Sequence, residues 1–355
     1  MQLRAHSIAQ IIGGIAALLA TLHSVGHIWR HHLHNATALR MCTIRILAVV
    51  PIFATAAWAS LMVETSRVHW ASPLSYVREL YESVAMLSFM QFILTCLGGP
   101  LELAHELERG GAAEVPHPGP LKHVLRAYSK GPEFVAHVSV GILQYAVISL
   151  CLFVINCLVW RPPWDPREPW FHKSRTYVET VTKVAKSASC GWAMYNLGLF
   201  YHQVHPRLVS IRPVLKFMSI KGVIFFTFWQ GIVIFAIDKT GAIPKNPEDA
   251  SGGVWSEEEI SAGIQHFLLC IEMLFFAEIH RRAYPVQDAP ATVGGGDCGL
   301  PVLWHEIGIL WQSARRRSRS GTTDARDLRT IVGLSEEPLT PHDHSPEEEG
   351  IELGS

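Results

Sequence analysis

The chain has 355 residues, of which 49% are hydrophobic and only 17% charged. A soluble domain of this size carries about 25% charged residues, and a formal net charge of −1 offers nothing to draw nucleic acid. The composition excludes an ordinary soluble globule and a polyanion-binding protein, and describes a protein of the membrane.

A crossing takes roughly 20 mostly apolar residues, because about 30 Å of hydrocarbon is covered at about 1.5 Å per residue. Seven windows meet that requirement: 7–28, 42–63, 77–97, 134–160, 177–203, 214–237 and 260–280. The first follows Arg4 and so has the start of a signal peptide, but it runs on through Val25 to Ile28 without a cleavage site. It is read as a retained span. At its end His23, His27 and His31 recur at every fourth position, with His32 and His34 beside them. Histidines on one helical face can bind zinc, yet no cysteine or acid accompanies these. They are read as interfacial residues, and no metal is expected. Asn35-Ala36-Thr37 then matches the N-glycosylation acceptor pattern.

Charged side chains inside a membrane are costly and face a protein interior or a water-filled cavity. In the third window Arg78, Glu79 and Glu82 open the helix, with Gln91 deeper. In the fourth, Gln144 and Tyr145 are expected to hydrogen-bond between helices. The fifth is the least hydrophobic and carries Glu179, Lys183 and Lys186 on one face with Ser187 and Cys190. The sixth carries Lys216, Lys221 and Gln230 among Phe225, Phe226, Phe228 and Trp229, and the seventh carries Gln265, Glu272 and Glu278. Arg78, Glu79 and Lys216 lie near helix ends and can snorkel to the interface. Lys186, Lys221 and Glu272 are deeper. Lys221 sits eight residues into its window, about 12 Å. It either forms a structural bridge with a carboxylate such as Glu272 or Glu82, or serves a binding site.

The loops after the first, third and fifth windows are richer in Lys and Arg than the alternate ones, which places the N-terminus outside and the C-terminus in the cytosol. The Asn35 sequon then faces the cytosol and stays unmodified. Residues 286–355, rich in Gly, Ser, Pro and charge, form a largely disordered tail behind a domain of residues 1–285. Within the tail, Trp304, Ile307 and Trp311 share a helical face ahead of Arg315, Arg316, Arg317 and Arg319, a pattern suited to an anionic leaflet. The seven cysteines include no CxxC pair and read mostly as buried apolar residues. No phosphate loop, HExxH or nucleophile elbow is present, so neither an enzyme nor a cofactor is expected.

Several stretches carry a family resemblance: RILAVVPIFATAAWASL (Arg45 to Leu61), RELYES (Arg78 to Ser83), LGG (Leu97 to Gly99), GILQYAVI (Gly141 to Ile148), KFMSIKGVIFFTFWQG (Lys216 to Gly231), and QHFLLCIEMLFFAEIH with RRAYP after it. In this order they resemble the organic solute transporter alpha family, which includes the transmembrane protein 184 group, over residues 10–285. The matching positions are Arg45, Pro51, Glu79, Tyr81, Glu82, Gln144, Lys216, Lys221, Gln230, Gln265, Glu272 and Met273. The resemblance implies seven helices, an outside N-terminus, and facilitated movement of amphipathic organic anions such as bile acids and conjugated steroids. It also implies a partner, either a single-span beta subunit or a second copy of the chain. Relatives in the less characterised branch are tied to vesicle traffic or signalling. Two departures move the chain towards that branch. Ser139 and Val140 stand where the family often has a basic residue, and Cys96 is the one cysteine close to a segment where clustered, lipidated cysteines are usual.

The sequence therefore reads as an all-α membrane protein, a seven-helix bundle in the plasma or an endosomal membrane, in contact with membrane lipids. Its expected function is equilibrative transport of amphipathic organic anions of steroid, bile-acid or lipid type. The expected binding residues are Lys221, Gln230, Glu272, Glu82, Lys186, Gln265, Phe225 and Trp229. The alternative is a non-transporting seven-helix scaffold or receptor-like protein whose polar groups lock helices together.

Overall fold

A computed structural model describes residues 2–64, 71–110, 114–115, 117, 122–123, 127–159, 169–208, 213–240, 257–286 and 300–320. Among them are ten helices and one short ribbon. The helices are α1 (Gln2–His34), α2 (Arg40–Leu47), α3 (Val49–Glu64), α4 (Ala71–Cys96), α5 (Pro100–Arg109), α6 (Pro132–Val159), α7 (Pro169–Leu208), α8 (Pro213–Lys239), α9 (Glu257–Ala283) and α10 (Leu300–Ser320). The ribbon pairs β1 (Glu114–Val115) antiparallel with β2 (Tyr128–Ser129). A helix satisfies its backbone internally, which is what an apolar surrounding demands.

Each of the seven apolar windows falls on a helix, the second on α2 and α3 together. By length and composition, four segments of the described residues could cross a membrane: Ser7–His34, Arg40–Val63, Pro132–Leu158 and Ile260–Ala283. A fifth follows if Leu74–Cys96 and Pro100–Arg109, bent by 59°, form one broken span. The bend lies at the LGG motif. Gly98 and Gly99 have φ of 84° and 100°, a region that residues with a Cβ seldom enter. The Gly99 amide closes the end of α4 onto the Leu94 carbonyl at 2.8 Å, and Pro100 starts α5 where no amide donor is needed. At 40 residues α7 is roughly 60 Å long, about twice the hydrocarbon thickness, so part of it lies outside the apolar layer.

Two cores hold the helices. In the first, small residues let α1, α3 and α9 approach closely: Ala17 and Ala20 meet Ala54 and Ala57, with Phe53, Cys270, Met273 and Phe276 around them. Small side chains at the contact are the usual device where lipid removes the hydrophobic drive for helix pairing. The second core joins α4, α6 and α7 through Phe89, Met90, Ile93, Phe134, Ile142, Tyr145 and Phe200, and extends to α2, α5 and α10.

Two expectations need correction, and a third gains a partner. His27 and His31 are buried within the protein, and both donate from Nε2 to the Tyr284 carbonyl at 2.9 Å. That carbonyl follows α9 and has two lone pairs to offer. Lys216 does not snorkel. It is 4% exposed, with its ammonium 5.5 Å from the Tyr284 ring centre, an arrangement that substitutes an aromatic face for water. Residues 300–320 form a docked helix, not a free tail: α10 buries Ile307, Leu310 and Ser313 against the bundle at α5 and α6 and leaves Trp304 exposed. The tail residues 287–299 and 321–355 lie outside the described residues. The cysteines divide, with Cys42 and Cys270 buried and Cys151 and Cys157 exposed on α6.

Candidate functional site

Polar side chains collect along the seam where α4, α6 and α7 meet. On α4 the spacing Tyr76, Glu79, Glu82 puts three groups on one face, and on α6 Tyr145, Ser149, Leu152 and Asn156 do the same. Thr182, Lys186 and Ser189 make the matching row on α7. The three rows meet as rungs. Lys186 pairs with Glu79 at 3.0 Å. The Tyr145 hydroxyl donates to Glu82 at 3.1 Å, and the Cys190 thiol lies 3.8 Å from the same oxygen. Gln144 and Ser189 bond twice, from the Gln144 amide to the Ser189 carbonyl at 3.0 Å and from the Ser189 hydroxyl to Gln144 Oε1 at 2.8 Å. Gln144 and Tyr145 therefore make the interhelical bonds expected of them.

Beside the Lys186–Glu79 rung is a small cavity of about 20 Å³, lined by Tyr76, Ser149, Leu152, Phe153, Asn156 and Lys183 among others. That volume admits about one water, so the seam has no room for a larger guest as it stands. The Ser149 hydroxyl is buried without a partner among the described residues. Lys183 and Lys186 together outnumber Glu79, so the lining favours an anion. The apolar Leu152 and Phe153 stand next to the charges, the pairing that an amphipathic ligand requires.

The expected binding residues do not all gather there. Glu82 and Lys186 belong to the seam, but Lys186 reaches Glu79 rather than Glu82 or Glu272. Gln230 on α8 donates to Glu272 on α9 in a separate pair. Gln230 Oε1 and Glu272 Oε2 are each left buried without a further partner among the described residues. Gln265 is half-buried on α9 and Trp229 half-exposed on α8. The side chains of Lys221 and Phe225 lie outside the described ones. Sequence reasoning missed Glu79, dismissed for its place near a helix start. The signal was its spacing of three from Glu82, which puts both on the face that carries the rungs.

Over residues 9–289 the chain matches the family described as organic solute transporter Ostalpha. The chain belongs to that family. Members similar to it include "Protein LAZ1 homolog 2" of Arabidopsis thaliana, 27% identical over 92% of this chain and 82% of the relative. The "Vacuole membrane protein HFL1" of Saccharomyces cerevisiae is 29% identical over 76% of this chain and 60% of that protein. "Protein LAZ1 homolog 1" of Arabidopsis thaliana is 24% identical over 68% and 50%. No solved structure matches. As an Ostalpha-family protein the chain is an all-α, multi-pass integral membrane protein. The matched residues 9–289 take in the whole α4–α6–α7 seam and the α8–α9 pair, and exclude α10.

Proposed function

We propose that this Ostalpha-family chain moves amphipathic organic anions of steroid, bile-acid or lipid type across its membrane by facilitated, equilibrative transport. The contact for the anion is the α4–α6–α7 seam. One observation carries the reading: the Lys186–Glu79 pair, with Lys183 beside it, borders both a cavity and the apolar Leu152 and Phe153. A cavity of about 20 Å³ cannot hold a steroid, so transport requires α7 to part from α4 and α6. The Gln230–Glu272 pair, with Gln265, Trp229, Phe225 and Lys221 on the same two helices, supplies a second polar step along the route. Seven spans with the N-terminus outside complete the proposal, with a beta subunit or a second copy of the chain as partner. The name of the yeast relative favours an internal membrane over the plasma membrane.

The rival is a non-transporting scaffold, and the narrow seam with its hydrogen-bonded rungs favours it. Uptake of labelled sterol sulfate into proteoliposomes separates the two. Lys186→Gln alone leaves an unpaired Glu79 that repels the anion by itself, so the informative variant is Glu79→Gln with Lys186→Gln. Hydrogen bonds to a charged group contribute about 1.5–3 kcal/mol, so losing the cation should lower uptake about tenfold or more. Native saturable uptake, lost in a folded double variant, is the expected result. Equal uptake by both proteins would remove the seam from the route, and no native uptake would favour the scaffold or a missing subunit.

A further inference from the structure

At the end of the α1–α9 pair lies an open pocket of about 630 Å³, lined by His27, Arg30, His34, Arg281, Pro285 and Val286. Its ionisable groups are all basic. Glu278, one turn back on α9, accepts from Arg281 Nε and Nη2 and from Arg282 Nε, each at 2.7 Å, and lies 3.6 Å from His23. One carboxylate thus faces three arginines in the neighbourhood, Arg30, Arg281 and Arg282. Arg30 makes no ion pair among the described residues.

The histidines decide which ring nitrogens face the pocket. A carbonyl only accepts, so the bond from His27 Nε2 to the Tyr284 carbonyl puts the proton on Nε2 and leaves Nδ1 as a bare lone pair in the neutral ring. His27 is 4% exposed and its Nδ1 has no partner among the described residues. That atom is sealed within the bundle, so the ring nitrogen that the pocket can offer a ligand is on the exposed His34. His34 uses Nδ1 on the Arg30 carbonyl at 3.2 Å, which leaves its Nε2 on the exposed side. Guanidinium groups for a phosphate, together with a ring nitrogen for a hydroxyl, match a phosphorylated polyol. The volume falls in the range of small-molecule sites and exceeds what a bare phosphate needs.

The flank of α1 supplies the rest. Leu22, Val25, Trp29 and Leu33 are exposed at helical spacing on a stripe about a third of the way round α1 from the His27–Arg30–His34 face, with Arg30 at the nearer edge. An apolar stripe in lipid that ends at a basic pocket holds acyl chains and a headgroup together. We infer that the pocket formed by Arg30, His34, Arg281 and His27 binds the headgroup of a phosphoinositide, with its acyl chains laid along α1. The site is separate from the α4–α6–α7 seam and stands whether or not the chain transports anything.

The test uses the full chain purified in detergent and native mass spectrometry. Phosphatidylinositol monophosphate, phosphatidylserine, soluble inositol bisphosphate and inorganic phosphate are added in separate arms. The native chain should retain the phosphoinositide in preference to phosphatidylserine. A basic residue near an anionic lipid contributes about 1 kcal/mol, so Arg30→Gln should weaken retention about fivefold, while Arg30→Lys keeps most of it. Arg30 is exposed and outside both cores, and an unchanged unfolding midpoint confirms that the variant folds. Should Arg30→Gln not fold, His34→Gln, at an exposed position, serves in its place with the same expected direction. Equal retention of phosphatidylserine, or retention unaffected by these variants, overturns the site. Displacement of the lipid by either soluble anion at equal concentration overturns the lipid as its source.

Discussion

A polar atom inside lipid has no water to fall back on, so each one placed there must find a partner. The bundle shows how closely this constrains single residues. Gly141 on α6 faces the buried Asn196 on α7, and a Cβ at 141 would lie 2.5–2.9 Å from its side-chain amide. Asn196 cannot easily retreat, because its Nδ2 donates to the Trp192 carbonyl at 2.8 Å. Gly141→Ala should therefore destabilise the protein by about 1–3 kcal/mol, the range for overpacking a tight core. A Cβ at Gly191 would meet nothing within 4 Å, so Gly191→Ala is the control, and thermal unfolding in detergent reads both. Equal midpoints for the two variants would mean that α6 and α7 do not approach as described. At this scale the sequence was partly readable. Gln144 and Tyr145 declared themselves as polar residues in an apolar run. Glu79 did not, because a carboxylate near a helix start looks free to reach water, and its partner Lys186 is remote in sequence. The Asn35 sequon was read through loop charge alone. The structure gives a reason independent of orientation: Asn35 is buried, and its Oδ1 accepts from the Thr37 amide and hydroxyl.

Among the elements, α10 departs furthest from expectation. Its sequence showed an amphipathic face and a basic end, which suit membrane attachment and a solvated regulatory tail equally. The face that is buried is set by Ile307, Leu310 and Ser313, one step round the helix from Trp304, and a single sequence cannot show which neighbour a face will meet. Glu306 lies half-buried beside that face. Burial raises its carboxyl above the ordinary glutamate value of 4.5, against a smaller lowering by His305. The docked helix thus holds its proton more tightly than the undocked one. Docking is then strongest below 4.5 and weakens as pH climbs through the raised value. Glu306→Gln should remove this dependence and protect α10 at neutral pH as well as the native helix is protected in acid. Amide exchange across residues 307–313 measures it. A native helix equally protected at acid and neutral pH would show that the Glu306 carboxylate stays solvated and has no bearing on docking.

For the whole molecule, hydropathy located the helices well but leaves the number of crossings at four or five among the described residues. A count of this kind can pass over a crossing helix, and α7 shows how. Its Lys186 and Ser189 are satisfied by α4 and α6 within the seam, so they make no demand on lipid, yet they lower the helix's average hydrophobicity. The opposite flank keeps Tyr177, Val181 and Val184 exposed, as a lipid-facing surface should. A helix that hides its polar face in this way can cross a membrane without passing a composition test. From Tyr177 to Arg207 α7 rises roughly 45 Å, enough to bring both ends clear of about 30 Å of hydrocarbon. Cysteines placed singly at 177 and 207, in a variant lacking the native thiols, should therefore react with an impermeant maleimide from opposite sides of a sealed vesicle. Residue 207 should share its side with a cysteine placed at 315, beyond the final span. If 177 and 207 are labelled from one side, α7 does not cross; the bundle then has fewer than seven spans, and the seam cannot form a path from one face to the other.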